Sequence, residues 1–336
     1  MRERLPVSPI LVRQRLPRFL QRSYAITCAA RIAVNYAKAA RYRLGHIDTS
    51  SGTVHTGLEI DASVEYIRRV YDDYKQYAGR ESFHGRLAEL GPGDNCGVAL
   101  LFMGDGCESA DLLDRFYSTR DTEVQRRIYE RLFADHPPLA TRFAEADLSA
   151  DDSFPGVRWH YGPSAAAEVF FRDHRDFDVI VSRAVLEHLY DPIEAIHDMA
   201  RALKPGGLMM HAVDLRDHGI FSTRFHELKY LEVPGAIYPH MTRASGGPNR
   251  ILTPAYRAAL EEEGLEFRIL VAGLAGSGLL DEYVEWGDIP AARRSESLRF
   301  VRSVRGRFAA QIRTMSDEDL AINSIFIVAR RPERTR

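Results

Sequence analysis

The 336-residue chain is poor in cysteine, with only Cys28, Cys96 and Cys107. They share no pairing or metal-ligand spacing, which argues against a disulfide framework or zinc site and suits a reducing cytoplasm. Long apolar runs are missing too: no stretch approaches the ~20 residues that span a bilayer. The opening MRERLPVSPILVRQRLPRF lacks the continuous apolar core of a secretory signal. Neither sign of charge dominates, the net charge being −2. With 45% apolar and 27% charged residues, the composition is that of a globular protein able to bury a full core.

The charge is unevenly placed. Residues 1–45 hold ten Lys/Arg (Arg2, Arg4, Arg13, Arg15, Arg18, Arg22, Arg31, Lys38, Arg41, Arg43) against Glu3 alone. A basic arm on an acidic body suits an acidic surface, its own or another's. Residues 17–44 read as an Ala- and Arg-rich helix, with Phe19, Leu20, Ile26, Ile32, Tyr36 and Tyr42 at roughly helical spacing. Three surfaces suit it: the protein's own domain, a second copy in a homodimer, or the inner face of an anionic membrane. An Arg-rich, acid-poor transit peptide is a fourth reading of the same composition. A second helix, SVEYIRRVYDDYKQYAG, sets Val64, Ile67, Val70, Tyr71 and Tyr74 on one face and stops at Gly79.

From residue 80 onward strands and helices alternate, as in a parallel α/β sheet. Strand GRLAELG leads to helix GVALLFMGDG and strand ADLLDRF; RWHYG, AAAEVFFRD, FDVIVSR, PIEAIHDMARAL and GGLMMHAVDL follow. The C-terminal part adds helix PAYRAALEEEG, strand EFRILVAG, a helical stretch around 291–313 and strand INSIFIVARR. The reading is a basic helical extension (1–79) and a Rossmann-like domain (80–336), with seven mostly parallel strands and helices on both faces. Inserts at 117–157 and 215–252 exceed ordinary connections of ~2–6 residues, which makes both candidate substrate lids.

The turn after the first of these strands, LAELGPGDNCG, has the strand–glycine turn–helix form that lets backbone approach a ligand. A dinucleotide fingerprint would place Gly or Ala at position 96, where Cys96 stands. Asp114 closes the next strand 23 residues after Gly91, near the offset of about 20 at which an acid meets ribose hydroxyls. Glu89 would repel a pyrophosphate and attract a cationic methionine moiety.

Three segments in order, ELGPG with GDNCG, FDVIVSRAVLEHLYDP and ALKPGGLMMH, resemble the class I S-adenosylmethionine-dependent methyltransferases over roughly residues 80–330. The resemblance implies S-adenosylmethionine as cofactor. It implies Glu89, Gly91 and Gly93 around the methionine part, Asp94 and Asn95 at the next helix, and Asp114 on the ribose. It also implies Ser182 and Arg183 facing the cofactor cleft, with Glu187 and His188 just behind. The acidic residue that often meets the adenine amine is absent from GPSAAAEV, where Ser164, Glu168 or a backbone group stands in its place.

Methyl transfer to a hydroxyl asks the enzyme to align the acceptor and remove its proton, which suits a histidine. The candidates are His188 in LEHL and His218 in DLRDHG, the latter with Asp217 to orient it. No residue is assigned to a metal; a divalent ion on Asp214, Asp217 and His218 and a hydrogen-bonded loop cap are the alternatives for that cluster. Phe221, Phe225, Tyr230 and Tyr238 in the second insert suit either lid packing or stacking on a sugar. The whole pattern, with HTGLEID, is similar to bacterial methyltransferases of surface-polysaccharide or glycan synthesis, which implies O-methylation of a sugar, glycan or glycosylated small molecule. Competing readings are a non-catalytic scaffold, a nicotinamide oxidoreductase, disfavoured by Glu89 and Cys96, and a nucleic-acid methyltransferase. Against the last, the body is acidic and no Asn/Asp-Pro-Pro-aromatic motif occurs, so no nucleic-acid partner is expected.

Overall fold

The computed structural model describes residues 23–49, 52–150 and 153–333. Arg2, Arg4, Arg13, Arg15, Arg18, Phe19, Leu20 and Arg22 therefore lie outside the described residues. The central sheet contains β1 (Gly85–Leu90), β2 (Cys107–Asp114), β3 (Val157–Tyr161), β4 (Phe177–Arg183), β5 (Leu203–Asp214), β6 (Glu266–Leu274), β7 (Gly278–Val284) and β8 (Ile322–Arg330). Their order across the sheet is β3-β2-β1-β4-β5-β8-β6-β7. The run from β3 to β5 is parallel, and β8, β6 and β7 are added antiparallel.

The sequence predicts seven strands; among the described residues the central sheet has eight, and a separate short parallel pair joins Asp48–Thr49 to Tyr117–Ser118. The additional central strand is β7, in which Leu280 and Tyr283 are buried while Asp281 and Glu282 are exposed. A register shift in its pairing with β6 accompanies this irregular burial. Without a two-residue alternation, the segment carries no clear strand signal.

Helices cover both faces because the inner strands are apolar on both sides. On one face, α2 (Ile60–Ala78), α3 (Gly97–Gly104) and α4 (Thr122–Asp135) set Ile67, Tyr74, Phe102 and Leu132 against Leu87, Val181 and Phe326. On the other, α6 (Ala167–Asp173), α7 (Pro192–Ala202) and α9 (Thr253–Glu262) pack Phe171, Met199 and Leu260 against Leu90, Ile180 and Val213. Helix α2 ends where Gly79 turns left-handed at φ 62°, a conformation that costs glycine least.

The two inserts behave differently. In 117–157, α4 and α5 (Pro137–Arg142) bury Ile128, Tyr129, Phe133 and Leu139 in the first core, so these two helices buttress the sheet. The second insert, with short helix α8 (Tyr238–Thr242), docks on the N-terminal helix α1 (Tyr24–Arg43). Asn35 Oδ1 accepts from Ala244 N at 2.7 Å, and Tyr36 Oη lies 2.7 Å from His240 Nδ1. Helix α1 thus packs on its own domain, one of the three surfaces proposed for it. No helix among the described residues is long and apolar enough to cross a membrane.

One buried acid ties three strands together. Asp111 on β2 is 1% exposed and accepts from Arg86 on β1 and from Arg158 and His160 on β3, all at 2.9 Å. Burial opposes its charge, but the bonds from His160, Arg158 and Arg86 prevail and hold its carboxyl well below the usual range. Because the folded value lies below the unfolded one, the stabilisation is present at neutral pH and is lost as pH falls through the folded value. Asp111→Asn is expected to cost about 3 kcal/mol at pH 7 in urea unfolding, with a smaller difference from wild type under strongly acid conditions.

Candidate active site

Strands β1 and β4 are parallel neighbours, yet the chain leaves β1 toward β2 and β3 and returns to β4 on the other side. Such a reversal leaves a crevice beyond the carboxyl ends of the strands, where ligands bind in open α/β sheets. A cavity of about 580 Å³ lies there, lined by residues that follow β1, β2 and β4, by α1 and by the second insert. Gly91 and Gly93 line it with φ of 63° and 72°. A Cβ on Gly91 would stand 2.4 Å from Val185 Cγ2, and one on Gly93 would stand 2.5 Å from the Gly52 carbonyl oxygen. Both positions therefore require glycine.

Asp114 lines the cavity, and its Oδ1 accepts from Phe116 N at 3.0 Å. Burial raises its pKa to about 6. Glu89 stands on the preceding strand beside the cavity, 8% exposed and outside its lining. Burial pushes its pKa up to about 8 although it accepts from the Ala99 backbone, and its Oε2 is buried without a hydrogen-bond partner. Burial thus favours its protonated form, and a cation placed beside it would favour the negative charge read from the sequence.

Other residues predicted for the cofactor lie apart from the cavity. Asp94 is buried and accepts from His55 N, Thr56 N and Thr56 Oγ1, which secures the 55–57 turn. Asn95 bonds Gln125 at 2.5 Å and Gly97 N at 2.6 Å, organising the start of α3. Ser182 pairs with His211 at 2.8 Å, both fully buried. Arg183 bonds Asp73 on α2 at 2.8 Å and Tyr283 on β7 at 3.2 Å, so it ties helix to sheet and does not face the cleft. Ser164 is exposed while its neighbours Ala165–Ala167 line the cavity; Glu168 is held by Arg115, Tyr190 N and Asp191 N.

The two histidines come together, with ring centroids 4.9 Å apart and nearly edge to face. Only His188 lines the cavity. Burial, then the neighbouring His218, pushes its pKa down to about 3; the Gly246 backbone bonds the ring, and Nδ1 is buried without a hydrogen-bond partner. His218 lies behind it with φ 49°, its Nε2 3.5 Å from Asp214 Oδ2 and 4.0 Å from Glu187 Oε1. Burial opposes its charge, but Asp214 and then Glu187 raise its pKa above the ordinary value. Burial also raises Glu187, to about 8. The partner aspartate is thus Asp214, itself gripped by Arg216 at 2.6 and 2.7 Å.

Asp217, predicted to orient His218, is spent elsewhere. Its carboxylate accepts from Gly219 N, Phe221 N, Ser222 N and Ser222 Oγ, folding the loop at 217–222. Among the described residues, Glu187, His188 and His218 offer possible metal-ligating atoms within 4.8 Å of one another, a different trio from the one weighed in the sequence. Phe221, Tyr230 and Tyr238 are core residues at 1–2% exposure, so lid packing is their role. Sequence reasoning missed Arg31, Lys38 and Ser245, which line the cavity; the polar spacing Thr27, Arg31, Asn35, Lys38 in an alanine-rich helix is the signal that could have found the first two.

A family model described as a methyltransferase domain matches residues 63–248, more than half of the chain. The chain is 29% identical over 141 residues to the ubiquinone biosynthesis O-methyltransferase of Maricaulis maris, covering 41% of this chain and 51% of that protein. It is 28% identical over 154 residues to the malonyl-[acyl-carrier protein] O-methyltransferase of Prosthecochloris aestuarii, covering 46% of each. The chain spans about half the length of these curated relatives. Among solved structures, phosphoethanolamine N-methyltransferase 2 of Haemonchus contortus aligns with TM-score 0.41 and 13% identity, over 79% of this chain and 53% of that one.

The histidine pair is directly measurable. Ring-nitrogen NMR is expected to show His218 titrating above the ordinary value of about 6.5 and His188 remaining neutral to at least about pH 5. Asp214→Asn should lower the His218 value. Because the folded value of His218 lies above the unfolded one, its stabilisation is present below about pH 6.5 and is lost as pH rises through the folded value.

Proposed function

The chain belongs to the methyltransferase-domain family, and on that premise we propose that it transfers the methyl group of S-adenosylmethionine to an oxygen of a small-molecule acceptor. The observation that carries this reading is a single cavity lined both by the glycine turn with Asp114 and by His188. The residues fit the cofactor: both glycines of the turn line the cavity, and Asp114 lines it as an acceptor at the nucleoside offset. Bound S-adenosylmethionine supplies an electrophilic methyl group whose sulfur leaves without an acid. The names of both curated relatives support oxygen as the acceptor atom.

The protein's own task is then alignment and proton removal. His188 is the proposed proton acceptor. Its ring lies against the Gly246 backbone, and its Nδ1 has no hydrogen-bond partner. A weakly basic imidazole suffices, because a hydroxyl becomes strongly acidic as its oxygen gains a methyl group. Its low pKa keeps the ring unprotonated throughout the neutral range. His218 and Asp214 hold the edge of that ring from behind, as positioning residues. A sugar or glycan hydroxyl falls within this reading, but Phe221, Tyr230 and Tyr238, three of the four rings that would stack on it, are committed to the core.

Two measurements test the reading. Calorimetry with S-adenosylhomocysteine is expected to show Asp114→Ala weakening binding on the order of tenfold or more. In the wild type, affinity should fall as pH drops below about 6, where Asp114 must first lose a proton, and Asp114→Asn should flatten that dependence. Absence of binding by the wild type would overturn the assignment. With labelled S-adenosylmethionine and extracted small molecules, His188→Asn should lower turnover about a hundredfold or more while S-adenosylhomocysteine affinity stays within about twofold.

A further inference from the structure

His188 sits in a single short turn, and much of what fixes that turn comes from the second insert. The chain leaves β4 through Ala184, whose φ of 56° is left-handed, a conformation that a non-glycine residue keeps only when its surroundings impose it. The turn Leu186–His188 is closed by His188 N donating to Val185 O at 2.8 Å and by Leu189 N donating to Leu186 O at a longer 3.3 Å. Leu186 and Glu187 are buried, so their carbonyl groups need partners from within the protein.

Asn249 supplies them. Its backbone N donates to Glu187 O at 2.7 Å, and its Nδ2 donates to Leu186 O at 2.7 Å and to Leu189 O at 3.2 Å. These three carbonyls bracket His188. The amide is fixed in one sense, because Oδ1 accepts from Ile251 N at 3.0 Å; turned over, it would set an NH2 group against that N–H and an oxygen against two carbonyls. The backbone beside Asn249 is anchored in turn. Tyr238 Oη donates to Pro248 O at 3.0 Å, and Arg250, left-handed at φ 64°, donates from Nη1 to Val233 O at 2.6 Å. The same segment carries Gly246, against whose backbone the His188 ring lies, and Ser245 O, which accepts from Lys38 Nζ on α1 at 2.8 Å. A further tie runs from the turn to β5, where Asp214 N donates to Glu187 Oε1 at 3.2 Å.

Asn249 does not line the cavity, so it reaches a ligand through what it holds. Proton removal depends on placement, and a displacement of about 1 Å can cost on the order of a hundredfold in rate. Resting on the methyltransferase reading above, we infer that Asn249 is a positioning residue for methyl transfer: by binding the carbonyls of Leu186, Glu187 and Leu189 it sets where the His188 imidazole stands in the cavity. The second insert is thereby more than a wall, since it holds the group that takes the proton.

The test compares the full-length wild type with Asn249→Ala and Asn249→Asp. The aspartate keeps an oxygen for Ile251 N and the backbone N–H for Glu187 O but loses both Nδ2 donations, and the tie to Asp214 N keeps the turn attached in either variant. Ring-nitrogen NMR without cofactor is expected to show the His188 signals shifted in both variants and those of His160, which Asp111 holds, unchanged. Transfer of label from S-adenosylmethionine to extracted small molecules should fall on the order of tenfold or more in each, with S-adenosylhomocysteine affinity within about twofold of wild type. If either the His188 signals or the turnover of a folded variant match those of the wild type, Asn249 serves the fold alone and the inference is overturned. A wild type that neither binds S-adenosylhomocysteine nor transfers label overturns the methyltransferase reading instead, and the ring signals still decide whether Asn249 sets His188.

Discussion

Everything in the site depends on a constraint of connectivity. Parallel strands must be joined by crossovers, and here the crossovers leave β1 and β4 in opposite directions. No connection can cover the carboxyl ends of those two strands, so the sheet opens there. The glycine turn, Asp114, Val185 and His188 all follow the ends of strands around that opening. The remaining wall has to come from elsewhere, and α1 with the second insert supplies it.

A second theme is how the fold accommodates buried acids. Asp111 and Asp214 are each surrounded by donors, and both remain ionised. Glu89, Glu187 and Asp114 have fewer donors, and burial raises all three. The first group is architectural, clamping strands or gripping Arg216. The second lies in or beside the cavity, where an uncompensated acid is ready to respond to a ligand.

Much of this was legible in the chain. The alternation of strands and helices, the special glycines at 91 and 93, and Asp114 at the end of its strand follow from local spacing. What escaped depended on partners distant in sequence. Ser182 and Arg183 look like cleft residues from their place at the end of β4, yet His211 and Asp73 claim them. Asp217 adjoins His218 in sequence, but a helix-like return to Gly219–Ser222 takes its carboxylate, while Asp214 reaches the imidazole across the turn. Spacing identifies which side chains are near one another; it does not decide which hydrogen bond each one makes.

Helix α1 precedes the segment matched by the family model, residues 63–248, although it walls the same cavity. The glycine turn and the helix laid over it are thus written in separate stretches of the chain and meet only in space. The sheet and its glycine turn can be inherited intact while the helix laid over them varies. A modular division of this kind allows one wall of the cavity to be rebuilt by changing a single surface helix, with the glycine turn left as it was.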